Sequence, residues 1–91
     1  MRRLSGFHYE QITAEDKPLG IPKFQAEEIF ITLQGSPIRY RYDSGEPDFV
    51  TGHLLYDGMS VRLNSIGQIE KFRFIRTEDK PSILSITYEK E

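Results

Sequence analysis

Apolar and polar residues alternate with a period of two along most of this chain. Ile29, Ile31 and Leu33 alternate with Phe30 and Thr32, and Ile38, Tyr40 and Tyr42 with Arg39 and Arg41. The pattern returns with Phe72 and Phe74 set between Lys71, Arg73 and Ile75, and again with Leu84, Ile86 and Tyr88. In an extended segment successive side chains point to opposite faces, so each run reads as a half-buried β-strand. Strands are expected over 4–12, 28–34, 37–42, 53–56, 59–63, 69–76 and 82–89, with a short edge segment at 48–51. The breaks between them are rich in Gly, Pro, Asp and Ser. Asp57-Gly58 predicts a type I′ hairpin turn joining 53–56 to 59–63. Residues 13–26 contain Pro18, Gly20 and Pro22 and read as a loop crossing the domain, anchored by Ile21 and Phe24. A single helical turn after Thr13 is the only helix this reading allows.

Even spacing of short strands predicts an all-β fold, a small antiparallel β-sandwich or partly open barrel of six to eight short strands. The 91 residues form one domain, with an N-terminal strand and loop over 1–26 and a β core over 27–91. The expected core is Ile29, Ile31, Leu33, Ile38, Tyr40, Leu55, Val61, Leu63, Phe72, Phe74, Leu84 and Ile86.

Composition narrows the function classes. Twelve basic against fourteen acidic residues give a net charge of −2, against the basic excess of general nucleic-acid binders. The chain has no cysteine, so no disulfide staples it, and a small unstapled fold favours self-association. Met1-Arg2-Arg3 is not followed by an apolar segment, and no apolar run reaches the length of a membrane helix. A cytoplasmic protein that binds no membrane and no nucleic acid is the expectation.

Candidate chemistry is sparse. Arg39-Tyr40-Arg41-Tyr42 and Lys71-Phe72-Arg73-Phe74 interleave cations and aromatics, the residue types that bind single strands. Period two, however, places the two kinds on opposite faces, so a solvated basic face over a buried aromatic one is the simpler reading. Asp43, Glu46, Asp48, His53 and Asp57 offer oxygen and nitrogen donors at short spacing, but no calcium-loop pattern is present and turn-forming Asp explains the same residues. His8 and His53 stand beside no recognisable nucleophile. Neither an enzyme, a metal nor a cofactor is expected. Phe30, Phe49 and Ile75 fall outside the assigned core phase. Together with Arg39, Arg41 and Arg73 they are the expected partner-binding residues.

From Glu28 to Glu89 the chain resembles a group of small proteins encoded in tailed phages and prophages near head and tail genes. The shared pattern stands here as Pro37-Ile38-Arg39-Tyr40-Arg41, Asp43-Ser44-Gly45-Glu46-Pro47, Gly52-His53-Leu54-Leu55, Gly58, Phe72-Arg73-Phe74-Ile75 and Thr87-Tyr88. Ser44 between Asp43 and Gly45, and Asp48 after Pro47, depart from it. The resemblance implies a non-enzymatic, virion-associated structural component whose partners are copies of itself or other virion or prophage proteins. The alternative expectation is a carbohydrate-binding β-sandwich module that stacks sugars on Tyr42, Phe49 and Tyr56.

Overall fold

A computed structural model describes residues 5–22 and 26–90. Phe24, one of the two expected loop anchors, lies outside them. Eight strands and one short helix are present among the described residues: β1 (Ser5–Thr13), β2 (Leu19–Gly20), β3 (Glu28–Gly35), β4 (Ile38–Arg41), β5 (His53–Leu55), β6 (Ser60–Leu63), α1 (Ile66–Lys71), β7 (Arg73–Arg76) and β8 (Ser82–Lys90). They form two antiparallel four-stranded sheets that do not close into a barrel. Sheet A has the order β1-β8-β3-β6 and sheet B the order β2-β7-β4-β5. The expected small all-β architecture is therefore what the chain adopts, in its sandwich form.

Alternation decides which side chains meet between the sheets. Ile29, Ile31 and Leu33 of β3 and Leu84, Ile86 and Tyr88 of β8 point inward from sheet A. Ile38, Leu55 and Phe74 meet them from sheet B, with Phe72 beside them just ahead of β7. Every residue of the expected core is in this cluster, Tyr40 and Val61 being partly buried at its margin. Burying each large side chain contributes roughly 1.5–3 kcal/mol, so this cluster is the main source of stability. The Tyr88 phenol carries its polar end inward by donating a hydrogen bond to the Glu10 carboxylate. Burial, reinforced by Glu10, raises its pKa above the ordinary tyrosine value and keeps it protonated.

Three expectations about local structure fail for identifiable reasons. Asp57-Gly58 turns the chain, with Met59 N–H donating to the Tyr56 carbonyl at 2.9 Å, but it makes no hairpin. β5 pairs with β4 in sheet B and β6 with β3 in sheet A, so this turn crosses between sheets. Gly58 has φ +81, whereas Asp57 is not in the positive-φ region that type I′ requires. Second, residues 66–71 are helical, and only Arg73–Arg76 of the expected 69–76 strand is extended. Ser65 caps the helix by accepting from Gln68 N–H, while Gln68 Oε1 accepts from Asn64 N–H at 3.0 Å. This is a reciprocal capping arrangement that outweighs the local alternation. Third, residues 48–51 form no strand, and 49–51 are bends. In the N-terminal loop Ile21 packs on the core as expected. Leu19–Gly20 adds a two-residue strand against Phe74 and Arg73, and no helical turn forms after Thr13.

At one end of the sandwich the crossings are laced together. Ser82 Oγ donates to the Ser36 carbonyl at 2.8 Å, Ser36 N–H to the Pro81 carbonyl at 3.0 Å, and Thr77 Oγ1 to the Pro37 carbonyl at 2.8 Å. Gly35 has φ +103, and a Cβ there would stand 2.4 Å from the Pro81 carbonyl oxygen. Gly35→Ala is expected to lower the unfolding free energy by about 1–3 kcal/mol in urea denaturation, because both the backbone conformation and the space reject a side chain. Gly67→Ala, inside α1 with nothing within 4 Å of the added carbon, is expected to be neutral or stabilising by up to ~1 kcal/mol.

Candidate binding surfaces at the β4–β5 end

β4 and β5 are joined by residues 42–52, the one connection that stays within a single sheet among the described residues. Arg39 is central to its shape. Its Nε–H donates to the Phe49 carbonyl at 3.2 Å and its Nη1 to the Gly52 carbonyl at 2.8 Å. Gly52 has φ +127, and a Cβ there would lie 3.2 Å from both Arg39 Cβ and Pro47 Cβ, so the loop packs closely on the outer face of sheet B. Asp48 Oδ1 accepts from Val50 N–H at 2.8 Å and Thr51 N–H at 2.7 Å, an Asx turn that fixes the loop tip. These two backbone donors hold the Asp48 carboxyl below its ordinary pKa.

The other arginines are equally committed. Arg41 grips Asp43 with two parallel bonds, Nε to Oδ1 at 3.0 Å and Nη2 to Oδ2 at 2.8 Å, while Gly45 N–H also donates to Oδ1. The Arg41 hydrogen bond, helped by Gly45, lowers the Asp43 pKa to about 2. Arg73 Nη1 donates to the carbonyls of Glu70 and Phe72, satisfying the C-terminal end of α1. Lys71 is in the helix and not on the sheet face, so it does not join Arg39, Arg41 and Arg73 in the basic face expected from the alternation.

The six residues expected to bind a partner are thus not one patch. Ile75 is 3% exposed and cannot present a surface: it stands directly across from Arg39 on a face that the 42–52 connection packs against. Phe30 lies on the outer face of sheet A, half-buried beneath the Arg62 guanidinium, whose carbon is 5.0 Å from the ring centroid. Arg62 is itself paired with Glu28 and Glu89. Arg39, Arg41 and Arg73 hold loops and a helix end. Phe49 is 57% exposed, and it is joined on this edge by Val50 at 80% and by Leu54 at 37%, which sequence reasoning missed as a site residue. Leu54 is the direct cross-strand neighbour of Arg39, whose guanidinium holds the Phe49 carbonyl, so the apolar residues share the outer side of the β5 edge.

On the other face of the same two strands an aromatic series runs from the core into solvent. Phe74 and Phe72 have centroids 5.9 Å apart, Phe72 and Tyr40 5.4 Å, and Tyr40 lies 6.4 Å from Tyr42 and 5.4 Å from His53. Tyr42 and His53 are 6.3 Å apart at an interplanar angle of 25°. Burial, then the neighbouring Tyr42, raises the Tyr40 phenol pKa and keeps that ring neutral. Beyond the series Arg41, Tyr42, Asp43, Gly52 and His53 line an open concavity of about 420 Å³. The three aromatics expected to bind sugar do not form one platform: Tyr42 follows the inner-face phase of Tyr40, whereas the Phe49 backbone is held on the outer face.

The acidic residues considered as metal donors serve turns: Asp43 pairs with Arg41, Asp48 makes its Asx turn, and Asp57 Oδ1 accepts from Gly35 N–H at 2.9 Å. Among the described residues no helix is long and apolar enough to cross a membrane. Comparison with family models, curated proteins and solved structures finds no match to this chain.

The Arg41–Asp43–Gly45 arrangement has a pH signature. Asp43 has a depressed pKa in the folded state, so its contribution to stability is complete above the unfolded value near 3.8 and is lost as pH falls toward 2. Side-chain carboxyl NMR should place its titration near 2. Gly45→Ala, whose Cβ would land 2.4 Å from the Arg41 guanidinium, should displace that group and move the titration up toward 3.8.

Proposed function

We propose that this protein is a non-enzymatic interaction module, a virion-associated component of a phage or prophage that assembles with copies of itself through the β5 edge. The observation that carries the reading is the exposure of Phe49 and Val50, in the loop leading into β5, and of Leu54 on that short edge strand. Large apolar side chains gathered at a sheet edge leave both apolar area and unpaired backbone groups in water, and association removes both from solvent. Asp48 and Arg39 hold the loop that bears Phe49 and Val50, so the patch is ordered before a partner arrives and less entropy is lost on docking.

The phage assignment rests on the resemblance of the Pro37–Tyr88 pattern. The residues of that pattern have structural work in this chain. Arg39 and Gly52 shape the 42–52 connection, Arg73 closes α1, and Tyr40, Phe72, Phe74 and Tyr88 build the core. What the pattern carries is therefore a scaffold, on which the exposed loop residues supply the contact.

The reading is tested on gradient-purified particles from an induced host. Peptides of this chain should co-sediment with particles and survive a salt wash. Recovery only at the top of the gradient would refute virion association. The isolated protein should gain mass with concentration in analytical ultracentrifugation. Val50→Asp, at a largely exposed position that leaves the fold intact, should return it to monomer at least tenfold higher concentration than the parent.

A further inference from the structure

We infer that the concavity at the end of β4 is a subsite for one neutral pyranose of a glycan. This site does not rest on the assembly reading: the 42–52 connection contributes to both, but the hollow is lined by Arg41, Tyr42, Asp43, Gly52 and His53 and by none of Phe49, Val50 and Leu54. It also replaces the three-aromatic expectation with a single ring.

Tyr42 is the outermost member of a stacked series anchored in the core. The residue is 39% exposed, and its ring is oriented by Tyr40, at an interplanar angle of 16°, and by His53. A rigid aromatic face in water suits the apolar C–H side of a pyranose, which it covers with little loss of side-chain entropy. Beside it the Asp43 carboxylate and Arg41 guanidinium lie edge to edge, held by two bonds. Arg41 uses two of its five N–H donors in that pair, and Asp43 keeps acceptor capacity on Oδ2. The pair therefore offers a donor and an acceptor at fixed spacing, matched to neighbouring sugar hydroxyls, each of which both donates and accepts.

Charge and space select within the class of polar ligands. Arg41 and Asp43 neutralise each other, so the lining gives a phosphate or a sialic acid carboxylate no net attraction. At about 420 Å³ the hollow falls within the ordinary range of small-ligand sites and is large enough for one sugar ring with part of a second. Gly52, which has no side chain, contributes backbone to the lining. A site this open should bind weakly, with a dissociation constant on the order of 1 mM.

The test is a two-dimensional NMR titration of the whole protein with methyl glycosides of glucose, galactose and mannose, and with sialic acid. At least one neutral glycoside should give saturable shifts at Tyr42, Gly52 and His53, and sialic acid should bind at least fivefold more weakly. Tyr42→Ala should weaken binding more than tenfold, while Tyr42→Phe, which keeps the ring, should stay within threefold of the parent. Tyr56→Ala should leave affinity unchanged. Thermal melts of each variant show whether the fold is kept, and the Phe substitution keeps the test decisive if the Ala variant unfolds. Absence of saturable shifts up to 50 mM (well above the ~1 mM expected) would overturn the site. Preference for sialic acid, or shifts indifferent to Tyr42, would overturn it equally. A monomeric protein that binds sugar would defeat the assembly reading alone, and an assembling protein that ignores sugar would defeat this one alone.

Discussion

The strand β8 is the constraint on which the rest of the structure depends. It is bonded on one side to β1 and on the other to β3, each over almost its whole length. Its inward residues Ser82, Leu84, Ile86 and Tyr88 are all fully buried. A shift of one residue would replace them with Ile83, Ser85, Thr87 and Glu89, removing an aromatic ring and a leucine from the core and putting a carboxylate there. Register is therefore dictated by side-chain burial and not by a turn. Side chains of the strand also bond to a sheet crossing and to its own neighbour in the sheet. Ser82 reaches the carbonyl of Ser36 at the crossing from β3 to β4, and Tyr88 reaches Glu10 on β1.

Nearly every connection among the described strands passes from one sheet to the other, which explains why the turns are so heavily bonded. A crossing turn cannot borrow ladder hydrogen bonds from the strands it joins, so side chains and neighbouring loops must satisfy its backbone. Asp57 serves Gly35, Ser36 and Pro37 are served from residues 77–82, and Ser65 serves Gln68. The β4–β5 connection is the exception. Because it returns within one sheet, the eleven residues 42–52 are left to be shaped by Arg39, Asp43 and Asp48. That loop is where exposed apolar residues and an open hollow both arise, in keeping with the tendency of rigid sheets to carry function on their loops.

Most strands and the expected core residues are legible from period two, because burial between two sheets depends on which face a residue occupies, while β2, the helix before β7 and the bends at 49–51 are not. Sheet membership was not legible. Asp57-Gly58 has the letters of a hairpin turn, yet its neighbours pair with strands elsewhere, and nothing local distinguishes the two outcomes. The helix at 66–71 had a readable signal in Ser65-Ile66-Gly67-Gln68, a cap residue followed three positions later by Gln, but the alternation at Phe72 and Phe74 masked it. Ile75 was misjudged because it lies on the outer phase of β7. That phase means exposure only where no loop packs on the face, and here the β4–β5 connection does. The arginines read as a solvated basic, partner-binding face for the same reason. The Phe49 and Gly52 carbonyls that hold Arg39 come from ten and thirteen residues away, and the Glu70 carbonyl reaches Arg73 only because residues 66–71 are helical.

The two candidate surfaces share a backbone, and this bears on how they would act. Phe49 and Val50 project from the loop whose ends are fixed by Asp43 and Gly52, and Asp43 and Gly52 line the hollow beside Tyr42. Arg39 holds the loop at both Phe49 and Gly52, so the outer edge and the inner concavity are braced by one guanidinium. A contact at Phe49 and Val50 therefore bears on the same loop that sets the position of Gly52. Breaking the Arg39 bonds would loosen both surfaces together, whereas losing the Tyr42 ring would touch only one.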